Sequence, residues 1–166
     1  LLNRYNELRG DDKVLQELGK VMSFGDRRID LVVLTHPHSD HLAGLVEVIN
    51  RYEIGEVWES GVDYPSLTYD AWKAEIKNKN ISDKFVKAGD EKTFKNGQIK
   101  FFVLYPLSSE KNQTIDNLNN SSVVTELEDG SFTSLFTGDL EKSAQPQIYK
   151  NLKKVTVLKV AHHGST

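Results

Sequence analysis

Three histidines and one aspartate fall within seven residues in the stretch Thr35-His36-Pro37-His38-Ser39-Asp40-His41. It follows the apolar run Leu31–Leu34, which reads as a strand buried on both faces, and it precedes Leu42–Tyr52, which has helical periodicity. The stretch therefore lies at the carboxyl end of a strand, which is where open α/β sheets bind their ligands.

The spacing of these polar side chains suits metal binding. Residues two apart in extended backbone project to the same side, so His36 and His38 can hold one ion together. Asp40 and His41 follow where the chain turns into the helix, and we expect them to face elsewhere and to hold a second ion. Imidazole nitrogen with carboxylate oxygen suits zinc, and also manganese or iron. The alternative, a polar loop of solvated histidines, is disfavoured by the density of the pattern.

Two further predicted strands end on candidate ligands. Asp139 follows the strand Phe132–Thr137, and its two carboxylate oxygens can bridge two cations; the alternative is a helix N-cap. His162 and His163 follow the strand Val155–Val160, with a terminal turn or a tag remnant as the alternative. Three strand ends that carry His, Asp and His are consistent with one convergent site.

Composition sets limits on the class of protein. The chain has 166 residues, of which 38% are hydrophobic and 27% charged, which predicts a single globular domain over residues 1–166. The apolar runs are too short for a membrane helix. The formal charge of −3 argues against a generally basic surface for nucleic acid, although a local basic patch is compatible with it. The lack of cysteine excludes disulfides, thiolate zinc sites and cysteine nucleophiles.

The order of predicted elements indicates layered α/β structure with a mixed sheet. Asp12 is a candidate N-cap for a first amphipathic helix, and Asp129-Gly130 predicts a hairpin turn. Helices are also predicted over Tyr69–Asn78 and Leu140–Leu152, and Pro146 must break or kink the second of them. The remaining predicted strands are Leu31–Thr35, Glu56–Ser60, Lys84–Lys87, Gln98–Tyr105 and Ser121–Glu128. Pro106–Asn120 is predicted to be a polar loop.

The stretch His36-Pro37-His38-Ser39-Asp40-His41 resembles the HxHxDH signature of the metallo-β-lactamase superfamily. Three flanking segments, Asn120–Val124, Ser134–Asp139 and Val157–Ser165, look like the soluble domain of ComEC-type DNA-uptake competence proteins and their stand-alone relatives. The likeness runs from about Asp12 to Thr166.

The resemblance implies an α/β fold, an αβ/βα sandwich with mixed sheets, and two divalent metal ions, zinc or manganese. It assigns His36, His38 and Asp139 to one ion, and Asp40, His41 and Asp139 to the other, with His162 or His163 as a further ligand. A hydroxide between the ions would attack a phosphodiester. On this expectation Asp40 also orients the hydroxide, while His162 or His163 ligates a metal or protonates the leaving oxygen.

The sequence also departs from the superfamily pattern. Members with a full ligand set have a histidine between the first cluster and the bridging aspartate, whereas no histidine lies between His41 and His162. ComEC-like relatives have asparagine in that region, which Asn120 matches, so we expect one ion to be held weakly. The opening strands and the portion after the final His-His-Gly-Ser turn are missing, which predicts a fragment that is incomplete at both ends.

The resulting expectation is a metal-dependent phosphodiesterase or nuclease that acts on single-stranded DNA during uptake. Candidate phosphate contacts are Lys84, Lys87, Lys92, Lys95, Lys100, Lys150, Lys153 and Lys154, which are otherwise a solvated face. The alternatives are a lactonase or thioesterase on the same fold, or a catalytically degenerate metal-binding scaffold. The resemblance also suggests a place outside the cytoplasmic membrane, attached to a membrane portion beyond this chain. Oligomeric state cannot be read from these residues.

Overall fold

The computed structural model describes residues 13–165, which form two compact units. The N-terminal unit comprises residues 13–58 and 64–84, and the C-terminal unit comprises residues 59–63 and 85–165. Asp12, the predicted N-cap, and Thr166 lie outside the described residues. The expectation of a single domain over residues 1–166 stays a prediction.

The N-terminal unit combines three helices with short strands. Parallel pairing joins β1 to β3 and β2 to β4, and β5 lies on the other side of β4 in a sheet of order β2-β4-β5. The last residue of β4 and the last residue of β5 belong to the C-terminal unit. The elements are α1 (Lys13–Val21), β1 (Arg28–Ile29), β2 (Val32–Val33), α2 (Ser39–Arg51), β3 (Glu53–Ile54), β4 (Glu56–Glu59), α3 (Leu67–Asn78) and β5 (Ser82–Phe85).

The core of this unit fixes where the histidine-rich stretch begins. Leu42, Val46 and Ile49 recur at helical spacing along α2 and are buried in one apolar cluster together with Trp72. The backbone N–H of Leu34 donates to the carbonyl of Trp58 at 2.9 Å, which extends the pairing of β2 with β4 to the residue before Thr35. The chain therefore leaves a buried strand directly into the histidines.

The C-terminal unit is built on a five-stranded sheet of order β10-β9-β8-β7-β6. β10 runs parallel to β9, and the other neighbours are antiparallel. Gly130, with φ of +59°, forms the turn of the predicted hairpin between β8 and β9. The strands are β6 (Glu91–Phe94), β7 (Ile99–Tyr105), β8 (Val124–Asp129), β9 (Phe132–Phe136) and β10 (Val157–Lys159).

A separate apolar cluster stabilises this sheet. Val124 and Leu135 from the strands pack with Leu140, Ala144 and Ile148 from the segment that follows β9. Because these residues are nearly or fully buried, the segment after β9 is held against the sheet without forming a long helix.

The predicted helix over Leu140–Leu152 is wrong. Two short 3₁₀ turns, Gln145–Gln147 and Tyr149–Asn151, occupy the region instead. Pro146 lies at the start of the first turn, where its missing N–H costs no hydrogen bond, and its ring is incompatible with a continuous helix through this point.

Other boundaries differ for local reasons. The strand predicted from Ser121 begins at Val124, because Leu118–Ser121 forms a 3₁₀ turn. The strand predicted over Lys84–Lys87 lies at Ser82–Phe85. β6 was not predicted, since two of its four residues are charged and only Phe94 is apolar. The α/β class with mixed sheets is confirmed. Within residues 13–165, no helix combines the length and the apolar character that crossing a membrane requires.

Candidate metal-binding clusters

His36 and His38 converge in the N-terminal unit. The Nε2 atom of His36 lies 3.0 Å from the Nδ1 atom of His38, and the His36 side chain is buried. The two nitrogens are within hydrogen-bond distance of each other, and two nitrogen ligands at about 2.1 Å from one tetrahedral ion lie about 3.4 Å apart. The two side chains therefore project to the same side, as expected, and the expectation that they hold one ion together stays a prediction.

His41 lies beside His36, while its Nε2 atom is on the side of Asp40, and the expectation that Asp40 and His41 hold a second ion stays a prediction. The ring centroid of His41 lies 4.2 Å from that of His36. The Thr35 hydroxyl lies 3.1 Å from Nδ1 of His36 and 3.5 Å from Nδ1 of His41, so one side chain contacts both imidazoles. We call His36, His38 and His41 the histidine triad. Thr35 was missed by sequence reasoning, and its only signal was its position between the buried strand and the first histidine.

Asp40 lies at the exposed edge of the triad. Its Oδ2 atom is 3.5 Å from Nε2 of His41, and about two-thirds of its side chain is exposed. Asp40 and His41 also line a cavity of about 430 Å³ with residues of α1 and the first turns of α2, among them Val14 and Gly44. Asp40 is thus placed where it can contact both an imidazole and a molecule that enters this cavity.

Asp139 and His163 meet in the C-terminal unit, and we call them the Asp139/His163 pair. Oδ2 of Asp139 lies 3.3 Å from Nε2 of His163, and the Asp139 side chain is buried. Lys159 donates from Nζ to Oδ1 of Asp139 at 3.2 Å and to the Gly138 carbonyl at 2.6 Å. One carboxylate oxygen is thus engaged by an ammonium group while the other faces an imidazole.

Hydroxyl and amide side chains hold the turn that carries Asp139. Its backbone N–H donates to Oγ of Ser122 at 2.9 Å. The Asn120 side chain accepts from the N–H of Glu141 at 3.1 Å and donates to Oγ of Ser143 at 3.1 Å. Both functional groups of Asn120, the residue expected in the place of the middle histidine, are therefore used within the protein.

Asn119 differs from its neighbour in this respect. Its Nδ2 donates to Glu141 at 2.7 Å, whereas its Oδ1 is buried with no hydrogen-bond partner within the described part of the chain. A buried amide oxygen without a donor is energetically costly, and it is a position where an additional donor or cation would be stabilised.

His162 lies beside a different carboxylate from His163. Its Nδ1 is 3.9 Å from Oε1 of Glu141. The Glu141 carboxylate also accepts from Nδ2 of Asn119 and of Asn117, both at 2.7 Å. These hydrogen bonds, that from Asn119 foremost, lower the pKa of Glu141, with a smaller contribution from the charge of His162.

The two terminal histidines adopt unusual backbone conformations. His162 has φ of +48° and His163 has φ of +53°, in the left-handed region that non-glycine residues seldom occupy. The N–H of His162 donates to the Gly138 carbonyl at 3.3 Å, which ties this turn to the one that carries Asp139. Strained backbone of this kind is held in place by surrounding contacts and is common at functional sites.

The donor chemistry of both clusters fits divalent metal ions. The triad offers imidazole nitrogens, and the Asp139/His163 pair offers a carboxylate oxygen 3.3 Å from an imidazole nitrogen. Such nitrogen and oxygen donors suit zinc, manganese and iron.

The lysines do not form one continuous track. In β6 and β7 the register pairs Lys92 with Phe101 and Thr93 with Lys100, and directly paired residues share a sheet face, so Lys92 and Lys100 point to opposite faces. Lys153 is 3.2 Å from Glu128 and 3.8 Å from Glu126. Pairing with carboxylates reduces the positive charge that Lys153 offers to a phosphate.

Two curated proteins are similar to this chain in sequence. The chain is 30% identical over 145 residues to ComE operon protein 3 of Bacillus subtilis strain 168, covering 85% of this chain and 18% of that protein. It is 26% identical over 142 residues to the uncharacterized protein YcaI of Escherichia coli K12, covering 81% and 15%. The chain therefore spans less than a fifth of the length of these curated relatives. The first match confirms the expected ComEC-type resemblance.

Solved structures and a family model agree on the fold. CmlA, a diiron β-hydroxylase from Streptomyces venezuelae, superposes with a TM-score of 0.51 at 16% identity, over 80% of this chain and 25% of that one. The model of the metallo-β-lactamase superfamily matches residues 10–166. The chain belongs to the metallo-β-lactamase superfamily.

Proposed function

We propose that this chain is a metal-dependent hydrolase whose divalent ions are bound by the histidine triad and by the Asp139/His163 pair. The observation that carries the proposal is the convergence of three imidazoles, with Nε2 of His36 3.0 Å from Nδ1 of His38 and the ring centroids of His36 and His41 4.2 Å apart. When bound, the ions supply an acidified water and a Lewis acid for the attacked oxygen. The expectation that Asp139 bridges two ions, which the resemblance implied, stays a prediction.

Three further side chains, Thr35, Asp40 and His162, have distinct roles in the proposed reaction. Thr35 contacts Nδ1 of both His36 and His41 and so fixes their rings. Asp40 is exposed beside the cavity next to His41, where its carboxylate can orient an attacking water. His162 is partly exposed and has the Glu141 carboxylate beside Nδ1, which leaves Nε2 as the ring nitrogen that can serve as a further ligand of an ion.

Among substrates, we propose a phosphodiester, with single-stranded DNA as the polymer and DNA uptake as the setting. The support is the similarity to ComE operon protein 3, not the surface charge, since the lysines of β6 and β7 do not align on one face. We further propose, from the ComEC-type resemblance of the sequence alone, a place on the outer side of the cytoplasmic membrane beside a membrane portion beyond this chain.

The ions are proposed as zinc or manganese. The similar CmlA of Streptomyces venezuelae is a diiron enzyme, and iron is therefore included in the test. All three ions accept the imidazole and carboxylate ligands of the two clusters.

The test is hydrolysis by purified protein supplied separately with zinc, manganese or iron(II). Substrates are bis(p-nitrophenyl) phosphate, a single-stranded oligonucleotide and a simple lactone, and the variant is His38→Ala. We expect phosphodiester cleavage that is lost in the variant. Lactone turnover without phosphodiester cleavage would favour a carbonyl-directed hydrolase, and bound metal without any turnover would favour a metal-binding scaffold; either result overturns the proposed substrate.

A further inference from the structure

We infer that Glu141 is a positioning residue that holds the 117–120 turn and orients His162, so that Nε2 of His162 is the atom presented to a metal ion. This inference rests on the proposed function and names a further residue of the same site. In the proposed reaction Glu141 touches neither substrate nor reacting atom and acts through His162.

The first support is the set of hydrogen bonds that converge on one residue. Side-chain amides of Asn117 and Asn119 each donate to the Glu141 carboxylate at 2.7 Å, one to each oxygen. The backbone N–H of the same residue donates to Oδ1 of Asn120 at 3.1 Å. Three asparagines of one short turn are thus bonded to a single glutamate, which fixes both carboxylate oxygens in space.

The second support is the atom that His162 turns toward this carboxylate. Nδ1 of His162 lies 3.9 Å from Oε1 of Glu141, the same oxygen that accepts from Asn119. At 3.9 Å the two atoms are beyond hydrogen-bond distance, and electrostatic attraction to the carboxylate favours the tautomer with the proton on the nearer nitrogen, which leaves the other nitrogen as an acceptor. For His162 that acceptor nitrogen is Nε2.

The third support is the contrast between the adjacent histidines. Nε2 of His163, and not its Nδ1, faces Oδ2 of Asp139. Each histidine therefore approaches a different carboxylate through a different ring nitrogen, although both have left-handed backbone. Asp139 is therefore the carboxylate beside His163, and Glu141 is the carboxylate beside His162.

A double-mutant cycle on Co²⁺ affinity tests the inference, using wild-type protein, Glu141→Gln, His162→Ala and the double variant. Glutamine keeps the shape of the side chain but cannot accept from both asparagines, because one oxygen becomes an amide donor. We expect Glu141→Gln to weaken Co²⁺ binding about 10- to 100-fold. In the His162→Ala background the same change is expected to alter affinity by less than about twofold.

The control is Glu128→Gln, the same substitution at a glutamate of the same unit that accepts from Lys153. We expect it to leave Co²⁺ affinity unchanged in both backgrounds. Equal effects of Glu141→Gln with and without His162 would overturn the inference while leaving the proposed function intact. Absence of Co²⁺ binding by wild-type protein would overturn both.

A second measurement needs no variant that might misfold. Long-range proton–nitrogen NMR of the histidine rings in metal-free protein reports which nitrogen carries the proton. We expect the Nδ1–H tautomer at His162. A dominant Nε2–H tautomer would contradict the role assigned to Glu141.

Discussion

Nε2 of His163 lies 3.3 Å from Oδ2 of Asp139, although 24 residues of sequence separate the two side chains. The parallel pairing of β9 with β10 accounts for this proximity, because parallel strands end at the same edge of the sheet. Asp139 follows β9 and His163 follows β10, so the sheet brings their side chains together.

Removal of one triad imidazole is expected to abolish tight metal binding. His38→Ala deletes the nitrogen that lies 3.0 Å from Nε2 of His36, and we expect metal affinity to fall by more than about 100-fold, since even loss of an outer partner of a ligand costs 10- to 100-fold. Calorimetric titration with zinc measures the change. Asn50→Ala, an exposed position on α2, is the control and should bind as the wild type does. Equal affinities for the two variants would remove His38 from the site.

Loss of the Ser122 hydroxyl is expected to destabilise the turn that carries Asp139. Ser122→Ala leaves the Asp139 N–H without its acceptor in a buried environment, and we expect unfolding free energy to fall by about 1–3 kcal/mol. Urea denaturation gives the value. Ser143→Ala removes an exposed hydroxyl that also accepts one hydrogen bond, so water can replace it and its cost should be much smaller. An unchanged unfolding free energy in Ser122→Ala would show that this hydrogen bond does not stabilise the turn.

Glu110 is expected to make stability depend on pH. Burial raises the pKa of its carboxyl from 4.5 to about 7, partly offset by a hydrogen bond from Ser60. The unfolded chain therefore loses this proton at lower pH than the folded chain, so stability falls as pH rises from about 4.5 to about 7 and is level above that. The loss of unfolding free energy across this range amounts to roughly 3 kcal/mol.

Glu110→Gln removes this dependence. We expect the variant to gain stability over wild type with rising pH across that window, and thermal unfolding at a series of pH values follows the difference. Glu91→Gln, on an exposed side chain, is the matched control. A difference that grows toward low pH would reverse the assigned sign.

Burial of Leu42, directly after His41, is expected to stabilise α2. Leu42 is fully buried and directly follows His41, so Leu42→Ala should lower unfolding free energy by about 2–5 kcal/mol. Leu45→Ala, at a half-buried position of the same helix, should cost less. Chemical denaturation compares the two. Equal costs would show that burial at position 42 does not determine the stability of α2.

The position of the triad could be predicted from sequence because its causes are local. A buried apolar run ends at Leu34, and alternate residues of extended backbone share a side, which brings His36 and His38 together. The placement of His41 could not be read in this way. The turn from His38 into α2 rotates its ring toward His36, and the shared contact with Thr35 depends on that rotation.

The structure of the region after β9 could not be predicted from the sequence. Helical spacing of apolar residues over Leu140–Leu152 reflects packing against the sheet, and Pro146 limits the local structure to 3₁₀ turns. The contacts of Glu141 with Asn117 and Asn119 join segments more than 20 residues apart, and single-sequence patterns carry no information about such pairs. The expectation for Asn120 came from the family resemblance, and its side-chain contacts with Glu141 and Ser143 likewise join segments more than 20 residues apart.

The most direct test of the account is the metal content of the purified protein after equilibration with zinc or manganese, compared between wild type and Asp139→Asn. Mass spectrometric metal analysis should find about two ions per wild-type chain and fewer in the variant, which keeps the shape of the side chain but loses its charge. A wild-type protein without bound metal, or a variant that retains the full content, would contradict the claim that these clusters hold the ions.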